Sequence, residues 1–293
     1  MSLRELFRRI KPASWDVSPQ DDATAELGIA APIATAYDPD LIPPPELMRR
    51  EGIDVLEEWF RWAEEWSMIL RIFGGLTRQG NVLEIGCGLG RIAYALRFIL
   101  TPRGTYSGFD IVAQKIAFLE QSFALSYPNF HFRLADVHNT TYNPTGRFQG
   151  ASFEFPYSDG EFDVVFAASV YTHLLPATAA QYMRESARVL RPGGRFVISV
   201  FLLDYYRREQ ERPWGFAQHY FAFDHPYEGY DIEHFAVATP EDPENTTAYS
   251  LSFLEEMATD AGLRLAQKPL PGMWSGTPDN WVGAQDLLIL QHR

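Results

Sequence analysis

Apolar positions recur at two different periods along this chain, and the two periods alternate. Ile53, Leu56, Trp59, Phe60, Ala63, Ile69 and Leu70 return at three- and four-residue steps, which predicts an amphipathic helix. Val82, Leu83 and Ile85 then form a short apolar run, β-branched at two of its three positions, and read as a buried parallel strand. Arg91 to Leu100 returns to helical spacing, followed by a strand over Thr105 to Asp110 and a helix over Val112 to Tyr127. Phe130 to Ala135 and Phe162 to Ala168 read as the next strands. Pro176 to Leu190 reads as a helix leading into a strand that ends at Ser199. Strands alternating with helices in this way predict βαβ units and an α/β fold. Further on, a helix over Leu251 to Ala261 is stopped by Gly262, a good residue for the turn past a helix end. A strand over Leu263 to Pro269, a loop or hairpin over Pro271 to Gln285, and an apolar strand over Asp286 to Gln291 close the chain.

Three stretches fall outside this alternation. Met1 to Lys11 places Leu3, Leu6, Phe7 and Ile10 on one helical face with arginines opposite. Such a helix can touch an anionic membrane or pack on its own domain or a partner subunit. Pro12 to Pro45 is rich in Pro, Asp and Ala and reads as an extended loop. With the helix after it, residues 1–75 are expected to form an arm and a helical lid, and residues 76–293 the main domain. Leu203 to Tyr249 holds eleven aromatic residues and His219, His225 and His234 without a clean period. A section this long inside a compact domain is usually functional. Residues 203–250 therefore read as an insertion capping an acceptor site, with a small satellite core as the alternative. Asp224, His225 and His234 lack a compact metal-ligand spacing, and no metal is expected.

Composition narrows the classes. At 46% hydrophobic and 14% aromatic the chain is a folded globular protein. Twenty-five basic against 38 acidic residues give a net charge of −13, which disfavours nucleic acid as a partner. One cysteine, Cys87, excludes an intramolecular disulfide and a thiolate cluster. No apolar run reaches the roughly 18 residues of a membrane-spanning helix. A soluble, cytoplasmic protein without stable membrane insertion is expected; a homo-oligomer is open.

The chemistry is concentrated after the first strand, in Asn81 to Arg91, NVLEIGCGLGR. Strand, glycine-rich turn and helix follow one another, and Gly86, Gly88 and Gly90 allow a ligand to approach the main chain closely. Glu84 puts a carboxylate where the strand opens. The spacing is G-x-G-x-G rather than the G-x-G-x-x-G of dinucleotide enzymes, which speaks against a Rossmann-type oxidoreductase. Asp110 lies about twenty residues beyond the last glycine, where a carboxylate can reach ribose hydroxyls, and it can also cap the helix that follows.

This turn, with its acid two positions ahead, resembles the first motif of class I methyltransferases that use S-adenosylmethionine, and the Trp-Ser-Gly and Gln-Asp-Leu elements near the C-terminus resemble bacterial members of the small-molecule or glycan type. The resemblance runs from about Asn81 to Ser199. It includes Asp110, Asp136-Val137, the segment Phe155 to Leu174 and the Pro-Gly-Gly turn within Arg188 to Ser199. It implies a doubly wound, seven-stranded, mostly parallel sheet with an antiparallel last strand, and S-adenosylmethionine as cofactor. The implied donor-binding residues are Glu84, Gly86, Cys87, Gly88, Gly90, Asp110 with Ile111 at the ribose, Asp136 with Val137 at the adenine, and Ala168 with Ser169 past the fourth strand. An Asn-Pro-Pro-Tyr tetrad is lacking there, which argues against base nitrogens and glutamine amides as acceptors. The expected reaction is in-line methyl transfer to a hydroxyl or amine of a small molecule or glycan. A hydroxyl acceptor is helped by a base, and His173 is the first candidate, with His219 and Tyr220 next. A donor-binding pseudoenzyme or scaffold subunit is the alternative.

Overall fold

The computed structural model describes residues 38–123, 126–209, 221–275 and 281–293. Helices α1 (Pro45–Arg50) and α2 (Leu56–Ile72) precede the sheet. Then come β1 (Asn81–Ile85), α3 (Arg91–Leu96), β2 (Thr105–Asp110), α4 (Ala113–Phe123), β3 (Phe130–Leu134) and β4 (Phe162–Ala167). Next are α5 (Pro176–Val189), β5 (Leu190–Val200) and α6 (Leu203–Glu209). Short strands β6 (His225–Pro226), β7 (Phe235–Val237) and β8 (Thr247–Tyr249) follow. Helix α7 (Leu251–Asp260), β9 (Leu263–Leu265) and β10 (Asp286–His292) complete the order. The basic N-terminal segment and the Pro12–Pro45 loop lie largely outside the described residues.

Seven strands form one sheet in the order β3-β2-β1-β4-β5-β10-β9. β1 to β5 pair in parallel and β10 runs antiparallel to both β5 and β9. The strand order reverses between β1 and β4, so their carboxyl ends open the crevice in which doubly wound sheets bind ligands. Strict side-chain alternation splits the core in two. On β4, Val164 and Phe166 join α2, α3 and α4 on one face, while Val165 and Ala167 join α5 and α7 on the other. Burial on both faces explains why these strands read as continuous apolar runs. Helix α2 is anchored at its end by Arg195, whose Nη1 donates to Phe73 O at 2.6 Å, and Trp66 stacks on Phe166 at 5.7 Å between ring centroids.

Two sequence expectations change. Pro-Gly-Gly (Pro192–Gly194) is not a turn ahead of the strand: α5 has ended at Val189, and the three residues form an irregularity within β5, with Gly193 at φ 79°. Leu190 pairs with Phe162, but the register has shifted by Val164, which pairs with Arg195. The aromatic section after β5 has more order than its sequence shows. α6 leads to a separate three-stranded antiparallel sheet, β6-β7-β8, and Phe201, Tyr206, Phe221, Phe223 and Trp274 form a satellite core. Among the described residues, no three His, Cys, Asp or Glu side chains gather as metal ligands.

Candidate functional site

The glycine turn closes over the end of β2. Gly86 and Cys87 both donate their N–H to Phe109 O, at 2.8 and 2.9 Å. Gly90 has φ 75°, and a Cβ there would collide with Leu119 on α4, so the third glycine lets helix and turn pack. Gly88 is different. It has φ 54°, and a Cβ built on it meets nothing within 4 Å, so bare main chain faces open space. Its N–H donates to Asp110 Oδ2 at 2.8 Å, and Val112 N–H donates to Asp110 Oδ1 at 2.9 Å. Asp110 therefore fastens the glycine turn and caps the start of α4 together, and each carboxylate oxygen keeps a further lone pair.

A cavity of about 330 Å³ opens at this turn. Of the residues expected to bind a donor, Glu84, Gly86, Cys87, Gly88, Asp110, Ile111, Val137, Ala168 and Ser169 line it; Gly90 and Asp136 do not. Asp136 is turned away by Arg147, whose Nε donates to its Oδ2 at 2.6 Å, with Asn143 on the other oxygen at 3.3 Å. His138 and Asn139, which follow Val137, reach the cavity instead. Glu84 is buried and accepts a hydrogen bond from Tyr106 OH. Burial pushes its carboxyl up to about 8, against the opposing pull of that hydrogen bond and of Arg91. Cys87 is also buried, and burial pushes its thiol well above the usual range.

A second cavity, of about 560 Å³, adjoins the first. Glu51, Ile53, Arg91, Tyr142, Ala168, Ser169 and His173 line both. One stripe of α2 walls the larger cavity: Glu58, Trp62, Glu65, Trp66 and Ile69 follow helical spacing. Phe201, Phe221 and Trp274 of the satellite core and Gln285 ahead of β10 face them. His173 lies in a 3₁₀ turn just past β4, half-buried, with Tyr142 edge-on at 5.5 Å. Its Nδ1 lies 3.2 Å from Glu244 O. A carbonyl can only accept, so Nδ1 carries the proton of the neutral ring and Nε2 keeps the lone pair. Burial lowers the imidazole below its ordinary value. His219 and Tyr220 lie outside the described residues.

The family model of a methyltransferase domain matches residues 76–213, from shortly after α2 through β5 and α6. The chain is 32% identical over 129 residues to a 27-O-demethylrifamycin SV methyltransferase of Amycolatopsis mediterranei, covering 44% of this chain and 41% of that protein. It is 27% identical over 127 residues to the O-methyltransferase cnsE of Penicillium expansum, 43% of this chain and 39% of that one. Against 2-phytyl-1,4-naphtoquinone methyltransferase of Synechocystis sp. it is 25% identical over 164 residues, 56% and 58% of the two chains. The matches thus span about two fifths to three fifths of these relatives' length. A crystal structure of a protein from Pyrococcus horikoshii OT3 superposes with a TM-score of 0.52 over 82% of this chain and 93% of that one; at 16% identity it speaks for the fold alone. Residues 76–213 thus match the methyltransferase-domain family, on a fold shared with the Pyrococcus horikoshii protein.

Sequence reading missed several walls of the crevice. Arg91, Tyr142 and Glu244 line the smaller cavity, Ser199 and Gln285 the larger. The stripe on α2 carried a readable signal, since its acids and tryptophans share a face beside the apolar one. Ser199 and Gln285 carried none, because 86 residues separate two side chains that touch.

Proposed function

We propose that this protein transfers the methyl group of S-adenosylmethionine to a small-molecule or glycan acceptor, at a hydroxyl or an amine. The observation that carries the reading is the shared wall: a cavity built on the glycine turn adjoins a larger one lined by the lid helix and the cap. Methyl transfer needs donor and nucleophile held in line on either side of one boundary, with water kept out. The smaller cavity suits the donor chemically. Open main chain at Gly88, the carboxylates of Glu84 and Asp110, and apolar Ile111 and Val137 match a cationic amino group, a ribose and a flat base. When bound, S-adenosylmethionine supplies an electrophilic methyl on a sulfonium. The protein's own residues position the partners and take a proton: His173, neutral near pH 7 and on the shared wall, serves as base for a hydroxyl. The larger cavity has the size of a small-molecule site. With the net charge of −13, this supports a small acceptor over nucleic acid. Residues 203–250, with the lid helix, act as the acceptor-side cap.

Calorimetry with S-adenosylhomocysteine and transfer from methyl-labelled donor test the reading. Micromolar binding that is abolished in Gly88→Asp, with label passing to a small-molecule or glycan fraction, is expected. A wild-type protein that binds no S-adenosylhomocysteine removes the donor assignment. Binding without transfer to any fraction would mark a pseudoenzyme.

A further inference from the structure

Resting on the methyl-transfer reading, we infer that the acceptor atom is an oxygen, and that Ser169, oriented by Ser199 and Gln285, selects it over nitrogen. Ser169 follows β4 with φ 58°, a conformation few non-glycine residues adopt, and its side chain lies on the wall common to both cavities. Three hydrogen bonds close a ring there. Ser169 N–H donates to Ser199 Oγ at 2.7 Å, Ser199 O–H donates to Gln285 Oε1 at 2.6 Å, and Gln285 Nε2 donates to Ser169 Oγ at 2.9 Å.

The ring has one direction. A backbone N–H can only donate, so Ser199 spends an oxygen lone pair on Ser169, and its proton goes to Gln285. An amide oxygen can only accept, which turns the amide nitrogen toward Ser169. Ser169 Oγ thus receives a hydrogen bond, and its own proton is the outlet of the ring. The other polar side-chain atom in reach of Ser169 Oγ, among the described residues, is Thr172 Oγ1 at 3.5 Å, the outer limit of a hydrogen bond. Ser169 thus presents its O–H at the boundary of the two cavities, on the wall it shares with His173 and Tyr142.

Counting protons and lone pairs decides between the acceptors. A neutral hydroxyl has one proton for His173 Nε2, one lone pair to accept from Ser169 and a second lone pair for the methyl carbon. A neutral amine has a single lone pair. If it accepts from Ser169 it cannot attack, and if it attacks, the Ser169 proton is left with the long contact to Thr172 Oγ1 at 3.5 Å. In the balanced step the acceptor oxygen forms the O–C bond and the C–S bond breaks. Its electron pair goes to sulfur, which leaves as the neutral thioether of S-adenosylhomocysteine, and the hydroxyl proton ends on His173.

Gln285 lines the larger cavity and not the donor cavity, so changing it tests selection without touching the donor. In Gln285→Glu the new carboxylate accepts from both serine hydroxyls, and Ser169 then turns a lone pair toward the boundary, suited to an amine N–H. The probes are 1-naphthol and 1-naphthylamine, extended to further hydroxyl and amine pairs of shared skeleton until a pair is turned over. S-adenosylhomocysteine release gives kcat/KM, and calorimetry gives each probe's affinity for the S-adenosylhomocysteine complex. The wild type is expected to favour the hydroxyl member by about tenfold or more, and Gln285→Glu to reduce that ratio by about tenfold, in rate and in the same direction in affinity. Its S-adenosylhomocysteine affinity should stay within about twofold. Ser169→Ala, which keeps the readout if the first variant misfolds, should lower the hydroxyl-to-amine ratio of kcat/KM likewise, both members being compared on the same variant so that any change in donor binding cancels. A wild type that prefers the amine, or a ratio unmoved in both variants, overturns the inference. Absence of S-adenosylhomocysteine binding by the wild type instead overturns the donor reading beneath it.

Discussion

Glu84 and His173 both titrate away from their ordinary ranges because both are withdrawn from water, and the consequences have opposite signs. Glu84, with a folded value of about 8, is largely neutral at pH 7. The unfolded carboxyl titrates near 4, so between these values the folded state holds the extra proton. Its stabilising contribution is therefore complete below about pH 4 and lost as pH rises through about 8. Glu84→Gln keeps the shape and an acceptor for Tyr106 OH but removes the titration. Thermal melts from about pH 5 to 8.5 should show the wild type losing stability relative to the variant. Equal slopes would mean that Glu84 titrates normally. A cationic amino group seated on Glu84 needs the carboxylate, so S-adenosylhomocysteine affinity should rise over the same interval and stay flat in the variant. His173, lowered by burial, is already neutral at pH 7. The acid limb of kcat/KM should thus fall below the ordinary histidine value of about 6.5, and His173→Ala should erase it with a loss of about 100-fold for a hydroxyl acceptor. An unchanged limb in His173→Ala would assign the proton to another group.

Elements differ in how openly their sequences announce them. The strands and helices of the main sheet were legible because two-sided burial makes β1, β4 and β10 near-continuous apolar runs, and because G-x-G-x-G is a backbone requirement written in residue types. The Pro-Gly-Gly irregularity was not, since a proline and two glycines serve a turn and a strand irregularity equally. Asp136 shows the limit at a single site: the acid after β3 was readable, but an arginine eleven residues on takes its side chain. The section after β5 was least legible because its strands are two or three residues long and its order comes from distant partners. Asp286, fully buried at the start of β10, is the main one. Its Oδ2 accepts from Leu202 N at 2.9 Å and Trp274 Nε1 at 2.8 Å, and its Oδ1 from Gly272 N at 2.7 Å. One carboxylate thereby pins the exit of β5, the loop before β10 and an aromatic wall of the larger cavity. Asp286→Ala strands three buried donors and should cost about 3 kcal/mol or more in chemical denaturation. Asp286→Asn should recover part of this, because the amide oxygen can replace Oδ2 but its NH₂ then faces Gly272 N–H. A loss under about 1 kcal/mol in Asp286→Ala would show that water replaces the carboxylate.

At the scale of the whole molecule, the smaller cavity is built mainly around the carboxyl ends of β1, β2 and β4, and the larger one mainly between α2, the residues after β5 and the start of β10. The two sets of parts meet at a polar clasp. Thr140 N–H and Thr140 Oγ1 both donate to Glu244 Oε2 at 2.7 Å, and Thr141 Oγ1 donates to Asp242 Oδ2 at 3.0 Å. These bonds join the loop after β3 to the stretch between β7 and β8. The same stretch supplies Glu244 O to His173, so one loop holds the rim of the donor cavity and orients the candidate base. Clasp bonds at exposed positions contribute little to global stability, about 1 kcal/mol or less each, whereas their opening is a local event. Glu244→Ala should therefore leave the melting temperature nearly unchanged while hydrogen exchange quickens in residues 139–143 and 239–247 and stays slow in β1 and β4. If the clasp gates the crevice, S-adenosylhomocysteine should also dissociate faster, by about threefold to tenfold, with little change in its association rate. Exchange that is unchanged in both loops would mean that packing rather than Glu244 holds them. Faster exchange with unchanged dissociation would separate the clasp from ligand release and leave it the single task of seating His173.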